Sequence, residues 1–357
     1  MSKVILQNFN INEFQDDLLC WYGANKRALP WRENKDPYKV WVSEIMLQQT
    51  KVDTVIPYFN QFIAKYPTTY ALAEADEEDV LKSWEGLGYY SRARNLQAAV
   101  REVVEKYDGK VPNVKENLGE LKGVGPYTKG AILSIAFDQP EPAVDGNVMR
   151  VFSRVLLIND DIALARTKKH FEELVREVIS KEDPSSFNQG IMDLGATICT
   201  PKSPACLICP VQKHCRAFAV GAENELPVKK KAKKQKKIAY AALIIKNQEG
   251  KYVIEKRPDT GLLANLYQFP MVPLEEVTFE TIPLWFYEEY GLRIQVKEKL
   301  QGKVKHVFSH IIWQVDVYHA EVEEVKIADD RLRFVEQEGL DALPFPVSHQ
   351  KVMDYIE

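Results

Sequence analysis

The chain has 357 residues, more than one ordinary hydrophobic core accommodates, so we expect two domains. Apolar residues make up 45% and charged residues 27%, which is typical of a globular protein and argues against a disordered chain. No run of eighteen apolar residues occurs, and the first residues lack a signal-peptide pattern. We therefore expect a cytoplasmic protein that neither spans a membrane nor is exported.

The net charge of −4 neither favours nor excludes binding to nucleic acid. Positive charge is concentrated in residues 229–237, which hold seven lysines and no acidic residue. Such a run cannot pack in a core and is expected to be solvated. It could also follow a phosphate backbone, with binding that weakens as salt rises. We interpret residues 227–237 as a basic linker between two domains.

Interleaved charged and apolar residues predict helices throughout residues 1–110, with a short break at 29–32. The segment 40–50 is the first candidate for a chemical role. Helical spacing there places Glu44 on one face with Val40 and Gln48, while Trp41, Ile45 and Met46 lie nearby in sequence. Apolar surroundings raise the pKa of a carboxyl, and one near ~6–7 can donate a proton at neutral pH. The alternative is an exposed helical glutamate.

A glycine-punctuated turn at residues 85–90 leads into a basic helix. Apolar and aromatic side chains on such a turn can enter a base stack, and Leu87 and Tyr89 are the candidates. Tyr90 is expected to belong to the core. Arg92 either contacts a phosphate group or is simply solvated.

Residues 121–137 predict two helices joined by a tight turn. Gly123 and Gly125 allow the backbone to turn and to approach a partner closely. Pro126 suits the first position of the following helix, and residues 111–121 are expected to form the preceding one. This helix-hairpin-helix would point backbone N–H groups outward, where a phosphate can bind.

Asp145 follows Gly125 by twenty residues. A carboxylate beside a phosphate-binding turn could stabilise positive charge on the sugar of the bound nucleotide. The alternative is a structural role, since aspartate often caps a helix, here one running from Asn147.

Two more helices are predicted at 165–180 and 187–199, and the second leads into four cysteines. Cys199, Cys206, Cys209 and Cys215 have the spacing Cys-x6-Cys-x2-Cys-x5-Cys. Without an export signal, this cluster argues against disulfides and for a metal site. On chemistry alone, zinc is a rival to iron because four thiolates suit it too. Cys20 stands outside the cluster and is expected to be an idle or buried thiol.

After residue 237 the pattern changes from helical to strand-like. Residues 238–245 and 252–256 are expected to form a hairpin, and residues 306–323 to be long strand material. Helices are predicted at 281–290 and 348–356. The second domain should therefore combine strands with a few helices.

These motifs together resemble the DNA glycosylases of the helix-hairpin-helix, iron–sulfur superfamily, and most closely the MutY-type adenine DNA glycosylases. The resemblance covers nearly the whole chain. It implies a multidomain fold: an all-α glycosylase domain at 1–226, the linker at 227–237, and an α+β Nudix-like domain at 238–357. It also implies that the loop at 199–215 holds a [4Fe–4S] cluster.

The resemblance assigns a role to each candidate residue. Glu44 would protonate the departing adenine, Asp145 would face the sugar, and Tyr127 and Asn147 would order Asp145 or the sugar. Contacts with the flipped base, the DNA backbone or 8-oxoguanine are implied for a further set: Arg32, Gln48, Gln49, Thr50, Leu87, Tyr89, Gly123, Gly125, Gln189 and Ser309.

The expected function is removal of adenine paired with 8-oxoguanine or guanine in duplex DNA, by a monomer at the nucleoid of a bacterial cell. Tyr127 stands where relatives that also nick DNA carry a lysine, so the enzyme should be monofunctional. Lys122 and Lys129 lie close by in sequence and leave a weak lyase activity open. Two rivals are an endonuclease III-like enzyme for oxidised pyrimidines and a non-enzymatic DNA-binding iron–sulfur protein.

The Nudix-like domain is not expected to hydrolyse pyrophosphate. Leu284 and Trp285 stand where a Nudix box needs arginine and glutamate, although Glu288 and Glu289 keep its end. In the family this domain recognises 8-oxoguanine, and Ser309 lies in the matching loop.

Overall fold

The computed structural model describes residues 2–230, 235–325 and 329–356. The contacts divide the chain into two compact units. The first unit comprises Met1–Glu74 and Ala98–Lys231, and the second comprises Ala75–Gln97 and Ala232–Glu357. Within the described residues, no helix is long and apolar enough to cross a membrane.

The N-terminal 230 residues are helical, as the sequence pattern predicts. The α-helices are α1 Ser2–Ile5, α2 Ile11–Asn25, α3 Pro37–Leu47, α4 Val52–Lys65, α5 Thr69–Glu74, α6 Glu77–Ser83, α7 Ser91–Tyr107, α8 Lys115–Glu120, α9 Pro126–Phe137, α10 Gly146–Val155, α11 Ala165–Val178, α12 Pro184–Thr197 and α13 Arg216–Val220. Short 3₁₀ turns occupy Pro30–Arg32, Cys206–Ile208 and Gln212–His214. The predicted break at 29–32 is the first of these turns.

A continuous apolar core joins α2, α10, α11 and α12. It contains fully buried Phe14, Phe152, Phe171 and Phe187. Because these helices pack through large side chains, the ends of α10 and α12 are held in fixed positions. Asp145 and Asn147 lie at the start of α10, and Gln189 lies within α12.

The predicted helical hairpin is present, but its first helix is shorter than expected. Helix α8 has only six residues, Lys115–Glu120, instead of the predicted 111–121. Pro112 restricts the residue before it to extended backbone and lacks an N–H, so the helix begins later. Helix α9 begins at Pro126 as predicted.

The second unit is built on a seven-stranded sheet. Its strands are β1 Lys236–Lys246, β2 Tyr252–Lys256, β3 Tyr267–Gln268, β4 Met271–Pro273, β5 Leu292–Val307, β6 Ile311–Val325 and β7 Leu332–Val335. The central order is β3-β2-β1-β6-β5, with β4 pairing β1 and β7 pairing β2. Strands β1 and β6 run parallel, whereas β5 and β6 form a long antiparallel pair.

Four further helical segments accompany the sheet: a 3₁₀ turn at Phe279–Thr281, α14 Ile282–Tyr290, α15 Gln337–Leu340 and α16 Val347–Met353. The β1–β2 hairpin predicted from sequence is present, with Ile245 opposite Val253. The strand material predicted at 306–323 is present but is not continuous. The chain reverses at 308–310, so this stretch is the end of β5 followed by β6. The terminal helix is also shorter than the predicted 348–356.

The division into units differs from the predicted domain limits. Residues Ala75–Gln97 group with the strand-rich unit rather than with the rest of the predicted 1–226 domain. Within that unit, the Glu78 carboxylate accepts a hydrogen bond from Tyr267 Oη at 2.8 Å, and Glu85 Oε1 accepts one from the Phe345 backbone N–H at 2.9 Å. Part of the predicted basic linker, residues 231–234, lies outside the described residues.

Candidate active site and cysteine loop

Seven of the predicted site residues line one cavity of about 750 Å³ in the helical unit. We call it the carboxylate cavity. It is lined by Arg32, Glu44, Thr50, Tyr127, Asp145, Asn147 and Gln189, together with apolar residues and Arg27.

Glu44 is the buried acid of this cavity. It lies on α3, whose neighbouring side chains are buried, and only 4% of Glu44 is exposed. Its Oε2 accepts a hydrogen bond of 2.6 Å from Tyr127 Oη. Burial raises the pKa of Glu44 to about 7, although the Tyr127 hydrogen bond and the charge of Arg32 lower it. At neutral pH this carboxyl can therefore both hold and release a proton.

Tyr127 has a different partner from the one expected. The sequence analysis expects it to order Asp145 or the sugar, whereas its hydroxyl donates to Glu44. Burial raises the pKa of Tyr127 well above its usual value, and the nearby carboxylates raise it further. The phenol thus stays neutral and remains a donor.

Asp145 is both the cap of a helix and a wall of the cavity. Its Oδ1 accepts a hydrogen bond from the Val148 N–H at 2.8 Å, which caps α10. Its Oδ2 accepts another from Asn147 Nδ2 at 3.1 Å. Burial raises the pKa of Asp145, while these hydrogen bonds and the charge of Arg150 oppose the rise. The capping role and an electrostatic role are therefore compatible, because the carboxylate also faces the cavity.

Arg150 connects this end of α10 to the cysteine segment. Its Nη2 donates to Asn147 Oδ1 at 2.9 Å, and its Nε donates to the Cys199 carbonyl at 2.8 Å. Sequence reasoning missed Arg150, since an arginine within an amphipathic helix is normally solvated. Here only 7% of it is exposed.

The hairpin turn opens onto a second cavity of about 1100 Å³, the hairpin groove. The predicted DNA-contacting residues that line it are Gln48, Gln49, Gly123 and Gly125, and Tyr127 and Asp145 line it as well. Gly123 has a φ of +78°, which favours glycine, and a Cβ at Gly125 would meet nothing within 4 Å. The backbone N–H groups at the start of α9 are thus open to an anion.

The arginines of the carboxylate cavity share one buried partner. Arg32 donates from Nη1 to Asp193 Oδ2 at 2.8 Å, and Arg27 donates from Nε to Asp193 Oδ1 at 2.9 Å. Sequence reasoning found Arg32 but missed Arg27 and Asp193. The only available signal for Asp193 was a single acidic residue within the otherwise weakly polar α12.

The remaining predicted residues, Leu87, Tyr89 and Ser309, line a cavity of about 980 Å³ in the strand-rich unit. We call it the tyrosine–serine pocket. Tyr89 is 45% exposed and has a φ of +48°, a strained conformation for a bulky residue. Leu87 is 6% exposed. Ser309 is exposed at the β5–β6 reversal, and its Oγ lies 3.4 Å from His310 Nδ1.

The four clustered cysteines line a common space of about 390 Å³ in the helical unit. Arg154, which is 1% exposed, donates from Nη1 to Cys199 Sγ at 3.2 Å and to the Thr200 carbonyl at 2.7 Å. A buried guanidinium beside four sulfurs suits thiolates that carry negative charge. Cys20 is exposed and lies outside this loop.

Three segments of the chain match known protein families. Residues 42–178 match the profile of the HhH-GPD superfamily of base excision DNA repair proteins. Residues 199–215 match the iron–sulfur binding domain of endonuclease III, and residues 241–355 match the NUDIX domain.

Individual relatives agree with these matches. The chain is 37% identical to an adenine DNA glycosylase of Mus musculus, with 87% of this chain and 70% of that protein covered. It is 38% identical to the adenine DNA glycosylase of Buchnera aphidicola subsp. Schizaphis graminum, with 83% and 84% covered. The chain belongs to the adenine DNA glycosylase family.

A solved structure supports the helical fold of this family member. The structure of a thermostable thymine-DNA glycosylase is 28% identical and superposes with a TM-score of 0.54. It covers 59% of this chain and 97% of its own. The predicted fold class and the prediction of an enzyme that hydrolyses N-glycosyl bonds are both confirmed.

The family also confirms the predicted iron–sulfur cofactor. The cysteine loop fits such a cluster because all four sulfurs line one space and Arg154 supplies a buried positive charge beside Cys199. Four thiolates are the usual ligands of a [4Fe–4S] cluster. Bound there, it would tie the loop at 199–215 together and supply no step of base removal.

One of the acids that remain in the incomplete Nudix box is already paired with an arginine. Glu289, one of its remaining acids, pairs with Arg331 at 2.9 Å. Leu284, in the place of a polar residue of the box, is 59% exposed. A cation bound to Glu289 would have to displace this guanidinium.

Proposed function

We propose that this glycosylase removes adenine paired with 8-oxoguanine, or with guanine, from duplex DNA by hydrolysis and without cleaving the strand. The adenine would leave the base stack, at a cost of about a few kcal/mol, and enter the carboxylate cavity. The names of the relatives supply the substrate class. The chemistry is argued from the residues below.

The observation that carries the proposal is that two carboxyl groups, those of Glu44 and Asp145, line one cavity but have different environments. Glu44 is buried and has a pKa of about 7, so a large fraction is protonated at neutral pH. It would donate this proton to a ring nitrogen of adenine such as N7, so that the base leaves neutral. The Tyr127 hydroxyl, at 2.6 Å, would orient the carboxyl during this transfer.

Asp145 would act on the sugar. As the glycosidic bond loosens, the sugar gains oxocarbenium character, which an adjacent carboxylate stabilises. The Val148 N–H and the Asn147 side chain hold both oxygens of Asp145 in place. Because they are fixed before the substrate arrives, little reorganisation is needed during the reaction. A water molecule would then complete hydrolysis.

Other candidate residues would hold the DNA. Arg32, Thr50 and Gln189 line the cavity that would receive the base. Gln48, Gln49 and the turn at 123–125 line the hairpin groove, where a backbone phosphate could accept hydrogen bonds from backbone N–H groups.

We infer that the tyrosine–serine pocket recognises the opposite base. Ser309 offers an exposed hydroxyl for the modified edge of 8-oxoguanine, and Leu87 and Tyr89 line the same pocket. Tyr89 is exposed, so it could stack on a base without a rearrangement of the core. Leu87 would have to leave its buried position to enter the duplex.

Tyr127 is the reason why we expect no strand cleavage. A phenol cannot form the imine with the sugar that a lysine amine forms. Its hydroxyl is, moreover, already hydrogen-bonded to Glu44. We also propose that the enzyme acts as a monomer on the nucleoid DNA of a bacterial cell, with functional domains at 1–226 and 238–357.

The deciding experiment is a base-release assay on duplexes that differ only in the mispair. We expect adenine release opposite 8-oxoguanine and guanine, with intact strands until alkali or heat is applied. Borohydride should trap no covalent adduct, whereas an endonuclease III-type enzyme would give one on its own substrate. Release of oxidised pyrimidines with a trapped adduct would instead support the bifunctional alternative.

A further inference from the structure

A buried cluster of charged side chains lies next to the carboxylate cavity. Asp193 lies on α12, is 1% exposed, and is contacted by two guanidinium groups. Arg32 donates to both of its oxygens, at 2.8 and 3.1 Å. Arg27 donates to Oδ1 from Nε at 2.9 Å and to Oδ2 from its backbone N–H at 3.4 Å.

Both arginines also line the carboxylate cavity, whereas Asp193 does not. Each arginine is thus held by Asp193 and also lines the space where we propose that the base binds. We propose that Asp193 is a positioning residue of the reaction, which fixes Arg27 and Arg32 at the cavity wall and offsets part of their positive charge. This inference rests on the proposed function.

Arg32 binds Asp193 through two N–H groups of the same guanidinium. A carboxylate that accepts two N–H groups from one arginine fixes the plane of that guanidinium. The remaining N–H groups of Arg32 then point in defined directions. Arg27 and Arg32 belong to the segment between α2 and α3. Besides Asp193, Arg32 contacts the Arg27 carbonyl, to which its Nη1 donates at 3.4 Å, and the Tyr22 ring, which lies 5.7 Å from its guanidinium.

The electrostatic part concerns Glu44. The charged or titratable groups that face it are Tyr127 from α9, Asp145 from the start of α10, and Arg32. The positive charge of Arg32 lowers the pKa of Glu44, which opposes the effect of burial. Asp193 weakens that influence because its negative charge accompanies the two arginines. Glu44 therefore keeps its proton to a higher pH than it would beside an uncompensated Arg32.

The test is the pH dependence of single-turnover adenine release by the full chain, on a duplex with adenine opposite 8-oxoguanine. Asp193→Asn should move the fall in rate to lower pH. The rate of this variant relative to the wild type should be at least about threefold lower at pH 8 than at pH 6. Arg27→Gln removes a positive charge and should move the fall to higher pH, by a smaller amount.

Two further variants separate this role from a merely structural one. Asp193→Asn combined with Arg27→Gln restores the local charge balance, so the fall should return toward the wild-type pH. Glu141→Gln is the matched control. Glu141 also pairs with two cations, Lys115 at 2.7 Å and Arg176 at 2.8 Å, and does not line the carboxylate cavity. Its pH profile should stay unchanged.

The outcomes are distinguishable. If Asp193→Asn and Arg27→Gln both lower the rate equally at every pH, Asp193 is only a structural residue and the inference fails. If Asp193→Asn does not fold, as judged by the visible absorption of the iron–sulfur cluster, the pH profile of Arg27→Gln decides. A fall in rate that moves to higher pH supports the inference, and an unchanged profile contradicts it. If the wild-type protein releases no adenine from any mispair, the proposed function itself fails.

Discussion

The carboxylate cavity and the tyrosine–serine pocket hold their polar groups in opposite ways. In the first, both oxygens of Asp145 are hydrogen-bonded and only 4% of Glu44 is exposed. In the second, Ser309 is exposed, with His310 Nδ1 at 3.4 Å, and Tyr89 is 45% exposed. Groups that carry out chemistry benefit from fixed positions, whereas groups that recognise a ligand can be ordered by it.

This contrast predicts that substitutions of the two carboxyl groups in the carboxylate cavity have larger effects than substitutions in the pocket. Glu44→Gln should have the largest effect, because the amide cannot donate a carboxyl proton. We expect single-turnover adenine release to fall by about 10²–10⁴-fold while duplex binding is retained. A rate within a few-fold of the wild type would remove Glu44 from the chemistry.

Asp145→Asn should follow. It keeps a capping acceptor for the Val148 N–H but removes the charge that would face the sugar. Release should fall by on the order of 10²–10³-fold in the same single-turnover assay. Thermal unfolding should change little, since asparagine also caps helices well. A large loss of stability with normal release would show that Asp145 only caps α10.

Ser309→Ala should have a smaller and more selective effect. It removes one exposed hydroxyl, and a single hydrogen bond contributes about 0.5–1.5 kcal/mol. The preference for 8-oxoguanine over guanine opposite adenine should therefore fall by roughly two- to tenfold. The release rate opposite guanine serves as the internal control. An unchanged preference would exclude Ser309 as a reader of the modified base.

Tyr127→Phe should have the smallest effect and tests the pH response. The Tyr127 hydrogen bond lowers the pKa of Glu44, so its removal should raise that pKa. Since the protonated form of Glu44 is the active one, the fall in rate above about pH 7 should move to higher pH. A pH-rate profile measures this directly. A shift to lower pH would contradict the assigned hydrogen bond.

Sequence reasoning succeeded where the pattern is local. The four cysteines and the Gly-x-Gly turn each lie within a short stretch, and both indicate the family from the sequence alone. The apolar neighbours of Glu44 similarly pointed to a raised pKa, and burial in the structure raises it to about 7. Each of these features depends on residues within one short stretch of the chain.

Sequence reasoning failed where distant segments meet. Asp193 and Arg27 are 166 positions apart, and no periodicity connects them. The partner of Tyr127, 83 positions away, was likewise misjudged. The pairing of β5 with β6 was not predicted either, because only residues 306–323 were interpreted as strand material, whereas β5 begins at Leu292.

The grouping of Ala75–Gln97 with the strand-rich unit has a practical consequence for dissecting this protein. A chain cut at residue 226 would retain Glu78 and Glu85 but lose Tyr267 and the Phe345 N–H, to which they are hydrogen-bonded. It would also expose buried apolar side chains near α6 to water. An isolated helical fragment should therefore be more prone than the intact enzyme to aggregation and to proteolysis around residues 75–97. Weak activity of such a fragment would then say little about what the strand-rich half contributes.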